Sequence, residues 1–145
     1  MHIRVLGSAA GGGYPQWNCN HPNSRRARNK DPDAPARTQS SIAVSADGER
    51  WVLFNASPDL RQQIFDNDIL HPSGALRASP IEATVLTNAD VDHVAGLLNL
   101  RESQAFNLYG TPRVLSVLEA NSIFNVLNPK FVSRRALELD RPLRP

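Results

Sequence analysis

The sequence predicts a single α/β or α+β domain, and three observations carry that prediction. Apolar, β-branched runs at residues 3–6, 41–46, 50–54 and 81–87 have the length and composition of strands. Residues 113–127 repeat apolar side chains, beginning with Val114, Leu115, Val117 and Leu118, at helical intervals. Between the second and third strand runs lies Asp47-Gly48, a dipeptide suited to the positive φ angles of a tight hairpin. Strands followed by helices that alternate with strands are the order from which sheet-and-helix domains are assembled.

Taken along the chain, the first strand run ends at Gly7, and Ala9-Ala10-Gly11-Gly12-Gly13 continues neither helix nor strand, so a loop follows. Residues 14–38 are rich in Asn, Arg, Asp and Pro and show no periodicity. A connection of that length in a compact domain is functional, metal-stapled or mobile. After the hairpin, Asn55-Ala56-Ser57-Pro58-Asp59 reads as a helix start. Ser57 is the expected cap, Pro58 suits the first turn, Asp59 complements the dipole, and a short helix should run to about Phe65. The run 81–87 stops at Asn88-Ala89-Asp90-Val91-Asp92-His93, after which residues 94–100 resemble the first turns of a helix. Tyr109-Gly110-Thr111-Pro112 reads as a turn before the helix at 113–127.

The 145 residues are 41% hydrophobic and 21% charged, which suits one domain with its own core rather than a disordered chain. A net charge of +2, with Lys and Arg spread along the chain, argues against nucleic-acid binding. Arg25, Arg26, Arg28 and Lys30 form one local cluster, read either as a solvated loop or as a polyanion patch. The lone Cys19 excludes an internal disulfide and suits a reducing compartment. No apolar run approaches the roughly 18 residues of a membrane span. The expectation is a cytoplasmic protein with no membrane partner.

Asp90, Asp92 and His93 are the strongest chemical constellation, because they stand where a strand ends and a helix begins. In an extended loop Asp90 and Asp92 point to one side and His93 can turn toward them. Two carboxylates and an imidazole would hold iron, manganese or zinc with positions left open. The alternative is ordinary helix capping by Asp92 with His93 exposed in the first turn. Cys19 and His21 are two apart and can reach one zinc ion, yet a closed structural site needs four ligands; an inert cysteine beside an exposed histidine is the other reading. The glycine run lacks the Gly-Lys-Ser/Thr ending of a P-loop and the spacing of a dinucleotide fingerprint, so close backbone approach is its expected use. His2 and His71 are expected at the surface.

Five segments in order resemble the pyrroloquinoline quinone biosynthesis protein B family. They are Val5-Leu6-Gly7-Ser8-Ala9-Ala10-Gly11-Gly12-Gly13, Pro15-Gln16-Trp17-Asn18-Cys19, Ala36-Arg37-Thr38-Gln39-Ser40-Ser41, Asn55-Ala56-Ser57-Pro58-Asp59-Leu60-Arg61, and the stretch from Leu86 through Asp92-His93 to Leu98. The resemblance implies a metallo-β-lactamase-like αββα sandwich, of which residues 1–145 would form the N-terminal portion. It sets Asn88, Asp90, Asp92 and His93 against the His-x-His-x-Asp-His metal loop of that fold. The first two histidines are replaced, so Asp92 and His93 remain for a single-metal site and simple hydrolysis is disfavoured. It also sets Cys19, His21 and Ser24 at the places of a Cys-x-Cys-x-x-Cys structural zinc cluster, where serine is a poor ligand.

What the resemblance implies about function is synthesis of pyrroloquinoline quinone (PQQ). In one reading an iron centre, held catalytically by Asp92 and His93, hydroxylates the tyrosine of a Glu-Tyr precursor cut from a peptide. In the other the protein carries the quinone or its precursor toward the periplasm, with Arg37, Arg61 or the glycine loop contacting carboxylates. Family members are considerably longer and would bring further ligands, including histidine. Half a sandwich leaves an apolar sheet face bare, from which self-association or a missing C-terminal half is expected, with weak metal binding and no activity of its own.

Overall fold

A computed structural model describes residues 1–142. Six strands form one mixed sheet in the order of the sequence: β1 (His2–Gly7), β2 (Ser41–Ser45), β3 (Trp51–Phe54), β4 (Ile81–Val85), β5 (Phe106–Gly110) and β6 (Val132–Ala136). The first three strands are antiparallel neighbours, and β3 through β6 run parallel. Parallel neighbours need crossovers, which carry α2 (Leu60–Phe65), α3 (Val91–Val94) and α4 (Pro112–Ala120); α1 (Pro22–Arg28) lies in the long connection between β1 and β2. All three crossover helices cover one sheet face. Leu60, Val94, Leu97, Val114, Leu115 and Leu118 share a core with Ala43, Leu53, Ile81, Phe106 and Leu108 from the strands.

Several elements differ from the sequence reading. The Asp47-Gly48 hairpin is there, but its loop spans residues 46–50 rather than a two-residue turn. Gly48 has φ +85°, and the Asp47 carboxylate accepts from the Glu49 and Arg50 amides and from Arg50 Nε, each at 2.9 Å. Those donors hold the Asp47 carboxyl far below the usual carboxylate range. The N-cap position of α2 is Asp59, which makes no side-chain cap bond and accepts from Gln39 instead, and Ser57 is no cap: its buried hydroxyl donates to Gln63 Oε1 at 3.2 Å. Pro112 opens α4 behind the Thr111 cap, and the expected helix to residue 127 breaks at Asn121, giving way to a 3-10 turn, Ser122–Val126.

The opposite sheet face has no helix across it among the described residues. Register aligns Val5, Ile42, Phe54, Val85 and Tyr109 across five strands, with Ile3, Val44, Val52 and Ala83 in the next row. Ile3 and Val5 are each 59% exposed. Ala83, Val85 and Tyr109 are buried in a cluster with Val52, Phe54 and Leu137, so the exposed part of this face lies toward β1; an exposed apolar patch drives association. The chain is therefore expected to bind a hydrophobic dye and to sediment above monomer mass, and Val5→Lys with Val52→Lys should return it to monomer without unfolding it. A parent chain that sediments as monomer and binds no dye would contradict this reading.

Candidate metal centre

The turn carrying Asp92 and His93 is fixed by the ends of β3 and β4. Asn55, at the close of β3, adopts φ +64° and turns its side-chain oxygen to accept from both Thr87 N (2.9 Å) and Thr87 Oγ1 (3.0 Å) beyond β4. Asn88 Oδ1 then accepts from the Asp90 amide at 2.9 Å and bends the chain into α3. The helical turn docks by its backbone: the Ala56 amide donates to the His93 carbonyl at 2.7 Å, and the Gly96 amide to the Ala56 carbonyl at 2.9 Å. A short polar segment is thus held rigidly by two parallel strands, at the carboxyl edge where such sheets build their sites.

On that turn His93 Nδ1 and Asp92 Oδ1 stand 2.9 Å apart, with side chains 20% and 23% exposed respectively. When the Nδ1 proton is donated to the carboxylate, His93 Nε2 presents a lone pair, the tautomer a metal requires. The segment is not extended as the sequence suggested. Asp90 is extended, but Asp92 and His93 are helical, so the alternation that would bring Asp90 and Asp92 to one side of an extended segment is lost. Asp90 occupies the cap position without a side-chain cap bond, is exposed, and lines a separate cleft with Asn88, Thr111, Arg113 and Val117. Asp92 as the helix cap is likewise corrected, since it lies inside the first turn. Among the described residues no group of three His, Cys, Asp or Glu side chains is placed to hold a metal. One carboxylate and one imidazole in contact fit part of a metal's ligand shell, and further donors are needed to complete it.

Behind the pair runs a polar network that the sequence did not announce. Asp92 Oδ2 abuts Gly11, where an added Cβ would stand 3.0 Å from it. The neighbouring Gly12 amide donates to Gln39 Oε1 at 3.0 Å, and Gln39 donates through its amide N (2.9 Å) and Nε2 (3.0 Å) to Asp59 Oδ2. The fully buried Gln63 donates through Nε2 to the Gln39 carbonyl (2.8 Å) and to Thr38 Oγ1 (3.0 Å). The only hint in the sequence was that Gln39 and Asp59 fall within segments resembling a family. The Gly13 amide is bonded to Ala10 O, and no helix follows directly, so the glycine run is a packing device and not an anion cradle.

Cys19 is half-buried and His21 exposed, in the turn that opens α1. His21 caps this helix by accepting from the Asn23 amide on Nδ1 at 3.3 Å. The Ser24 hydroxyl and the His21 backbone, aided by Arg28, pull the Cys19 thiol below its ordinary pKa. A lowered pKa leaves more thiolate at neutral pH, so the midpoint of its iodoacetamide rate profile is expected below that of a free cysteine and should rise in Ser24→Ala. A midpoint at or above the free value would refute the effect.

The basic cluster is structural. Arg28 donates to Gln16 O at 2.6 Å, Arg25 to Asn20 O at 3.2 Å, and Arg26 pairs with Asp31 at 2.7 Å, so arginines staple the long connection. Arg37 pairs through its backbone with Tyr14 beside the glycine loop, whereas Arg61 faces a different cleft with Phe65 and His71. His2 and His71 are exposed, as expected. Among the described residues no helix is long and apolar enough to cross a membrane.

Comparison with known proteins gives a consistent picture. Residues 50–145 match the model of the beta-lactamase superfamily domain. The chain is 59% identical over 143 residues to coenzyme PQQ synthesis protein B of Xanthomonas euvesicatoria, covering 99% of this chain and 48% of that protein. It is 57% identical over 145 residues to the protein of that name in Methylorubrum populi, again covering 48% of it. Among solved structures, Zn(2+)-bound PqqB from Methylobacterium extorquens matches with TM-score 0.98 and 54% identity over 100% of this chain and 52% of that one. A diphosphatase of the PhnP family matches with TM-score 0.73 and 25% identity over 94% of this chain and 50% of that one. The chain spans about half the length of the curated relatives it matches, and it resembles their N-terminal half.

Proposed function

The chain belongs to the beta-lactamase superfamily domain family, and from that premise we propose that it serves PQQ biosynthesis by contributing Asp92 and His93 to a metal centre. The observation that carries this reading is the Asp92–His93 contact at the carboxyl edge of the sheet, in a chain 59% identical to a PQQ synthesis protein. A structure of a 54% identical relative described as Zn(2+)-bound supports metal binding in general. Iron is our choice for the working metal, with zinc or manganese as alternatives, and its reaction is hydroxylation of the tyrosine of a Glu-Tyr precursor. Iron with open positions supplies redox chemistry toward dioxygen, one oxygen atom entering a ring C–H and the other leaving as water with two electrons from an added reductant.

The chain's own residues do the holding. Asp92 orients the His93 ring through Nδ1 and leaves Nε2, which points away from that carboxylate, to ligate; Asp92 thus acts on the metal through the ring, with its second oxygen against Gly11. Half-burial of both side chains limits competing water. Cys19 and His21 are proposed as two ligands of a structural zinc, with Ser24, the thiol's hydrogen-bond partner, beside them. The second reading, carriage of PQQ or its precursor, is favoured by the absence, among the described residues, of any group of three side chains placed to hold a metal.

The deciding experiment is oxygen uptake with ferrous iron, ascorbate and Glu-Tyr. It compares the 145-residue chain with the same chain joined to the remaining half of the Xanthomonas relative. Substrate-dependent uptake by the joined protein alone is expected. Quinone binding without uptake in either would favour the carrier, and neither activity would sink the proposal.

A further inference from the structure

The Asp92 carboxylate is constrained at both oxygens. Oδ1 meets His93 Nδ1 at 2.9 Å, and Oδ2 meets the bare Cα face of Gly11. Gly11 belongs to a turn whose next amide, on Gly12, is held by Gln39 Oε1, and Gln39 is itself 8% exposed and gripped twice by Asp59 Oδ2. Gln63, which takes the Gln39 carbonyl, also receives the Ser57 hydroxyl, and Ser57 lies in the junction that docks the His93 turn. The glycine turn and the histidine turn are therefore tied to one buried set of amides.

We infer that Gln39 is a positioning residue for the metal centre: by fixing the Gly11-Gly12 turn against Asp92 Oδ2, it holds the carboxylate on His93 Nδ1 and so sets the direction in which Nε2 is offered. The physical reason is preorganisation. A site with few donors gains little from each bond, so freedom of the carboxylate to swing away and release the imidazole costs it affinity directly, and partners outside the ligand shell are worth about 10- to 100-fold in metal binding. Gln39 suits the role because it both accepts from a backbone amide and donates to a carboxylate, which Met or Leu of similar size does neither of. The inference rests on the metal reading above.

The test is Mn2+ titration of the full 145-residue chain, followed by paramagnetic broadening of the Asp92 and His93 amides, which reports even weak binding. Gln39→Met is expected to weaken binding about 10-fold or more. Gly11→Ala probes the same contact from the other side. Its methyl would press on Asp92 Oδ2 at 3.0 Å, and Gly11 has no left-handed φ to be strained, so this variant should fold and still show weaker, redirected broadening. Amide spectra of the remaining sheet check folding in both. Parental broadening with unchanged affinity and pattern in Gly11→Ala, or in a folded Gln39→Met, overturns the positioning role alone. No broadening at Asp92 and His93 in the parent overturns the metal reading and this inference with it.

Discussion

Alanine at His93 or at Asp92 is expected to reduce metal affinity by about 100-fold. Structural zinc with four ligands is bound with some 10–16 kcal/mol, so one ligand contributes about 3 kcal/mol, which is on the order of a hundredfold. The two substitutions should not act alike in detail. His93→Ala removes the nitrogen donor and leaves a carboxylate beside Gly11, whereas Asp92→Ala removes the acceptor that orients the ring at 2.9 Å. In Asp92→Ala the imidazole is free to adopt either tautomer, so its loss should approach that of His93→Ala. The double variant should fall little further, because either single change already dismantles the pair. Isothermal titration with Fe2+ or Mn2+ measures all three. The parent itself is expected to bind weakly, since two side chains seldom compete with water for a divalent ion. Tight stoichiometric uptake by the parent, or unchanged affinity in the double variant, would remove Asp92 and His93 from the centre.

How far the sequence disclosed this arrangement depends on what each segment buries. Strands β2, β3 and β4 were legible because their residues alternate against one core or sit in an apolar run, and helix α2 because it follows a Pro-Asp pair. Strand β5 was not, since Phe106, Leu108 and Tyr109 are interrupted by Asn107 and run straight into what reads as a turn at Gly110. Strand β6, Val-Ser-Arg-Arg-Ala, buries only its first residue at the sheet edge and so carries no apolar signal. Helix α1 buries only Ser24 and Ala27, with a histidine as its cap, and a stretch this polar reads as loop. Asp92 and His93 were visible as polar residues at a strand's end. Their exclusion of Asp90 was not, because it depends on whether the turn is extended or helical, and that was decided by the His93 carbonyl finding the Ala56 amide. Long-range partners of this kind leave no local trace.

That docking gives Gly96→Ala a large expected effect on stability. A Cβ at residue 96 would overlap the Ser57 carbonyl oxygen and stand 2.8 Å from Ala56 carbon and oxygen, all backbone atoms that cannot rotate away. The turn must withdraw, and two hydrogen bonds, Gly96 to Ala56 and Ala56 to His93, lengthen together. Val94 and Leu97, 5% and 0% exposed, are pulled partly from the core. Two backbone bonds at about 1 kcal/mol each, with overpacking of about 1–3 kcal/mol, give a loss of about 3 kcal/mol or more. For a chain of this size that is a fall of about 10 °C in Tm. Gly11→Ala is the control, because the atoms nearest its methyl belong to the Asp92 side chain and not to backbone; its Tm should stay within about 2 °C of the parent. Gly96→Ala should lose metal affinity alongside stability, since the same displacement carries His93 away from β3. A Gly96→Ala chain that melts with the parent would show that the turn is not seated on the Ala56-Ser57 backbone, and the fixed geometry of the Asp92–His93 pair would lose its physical basis.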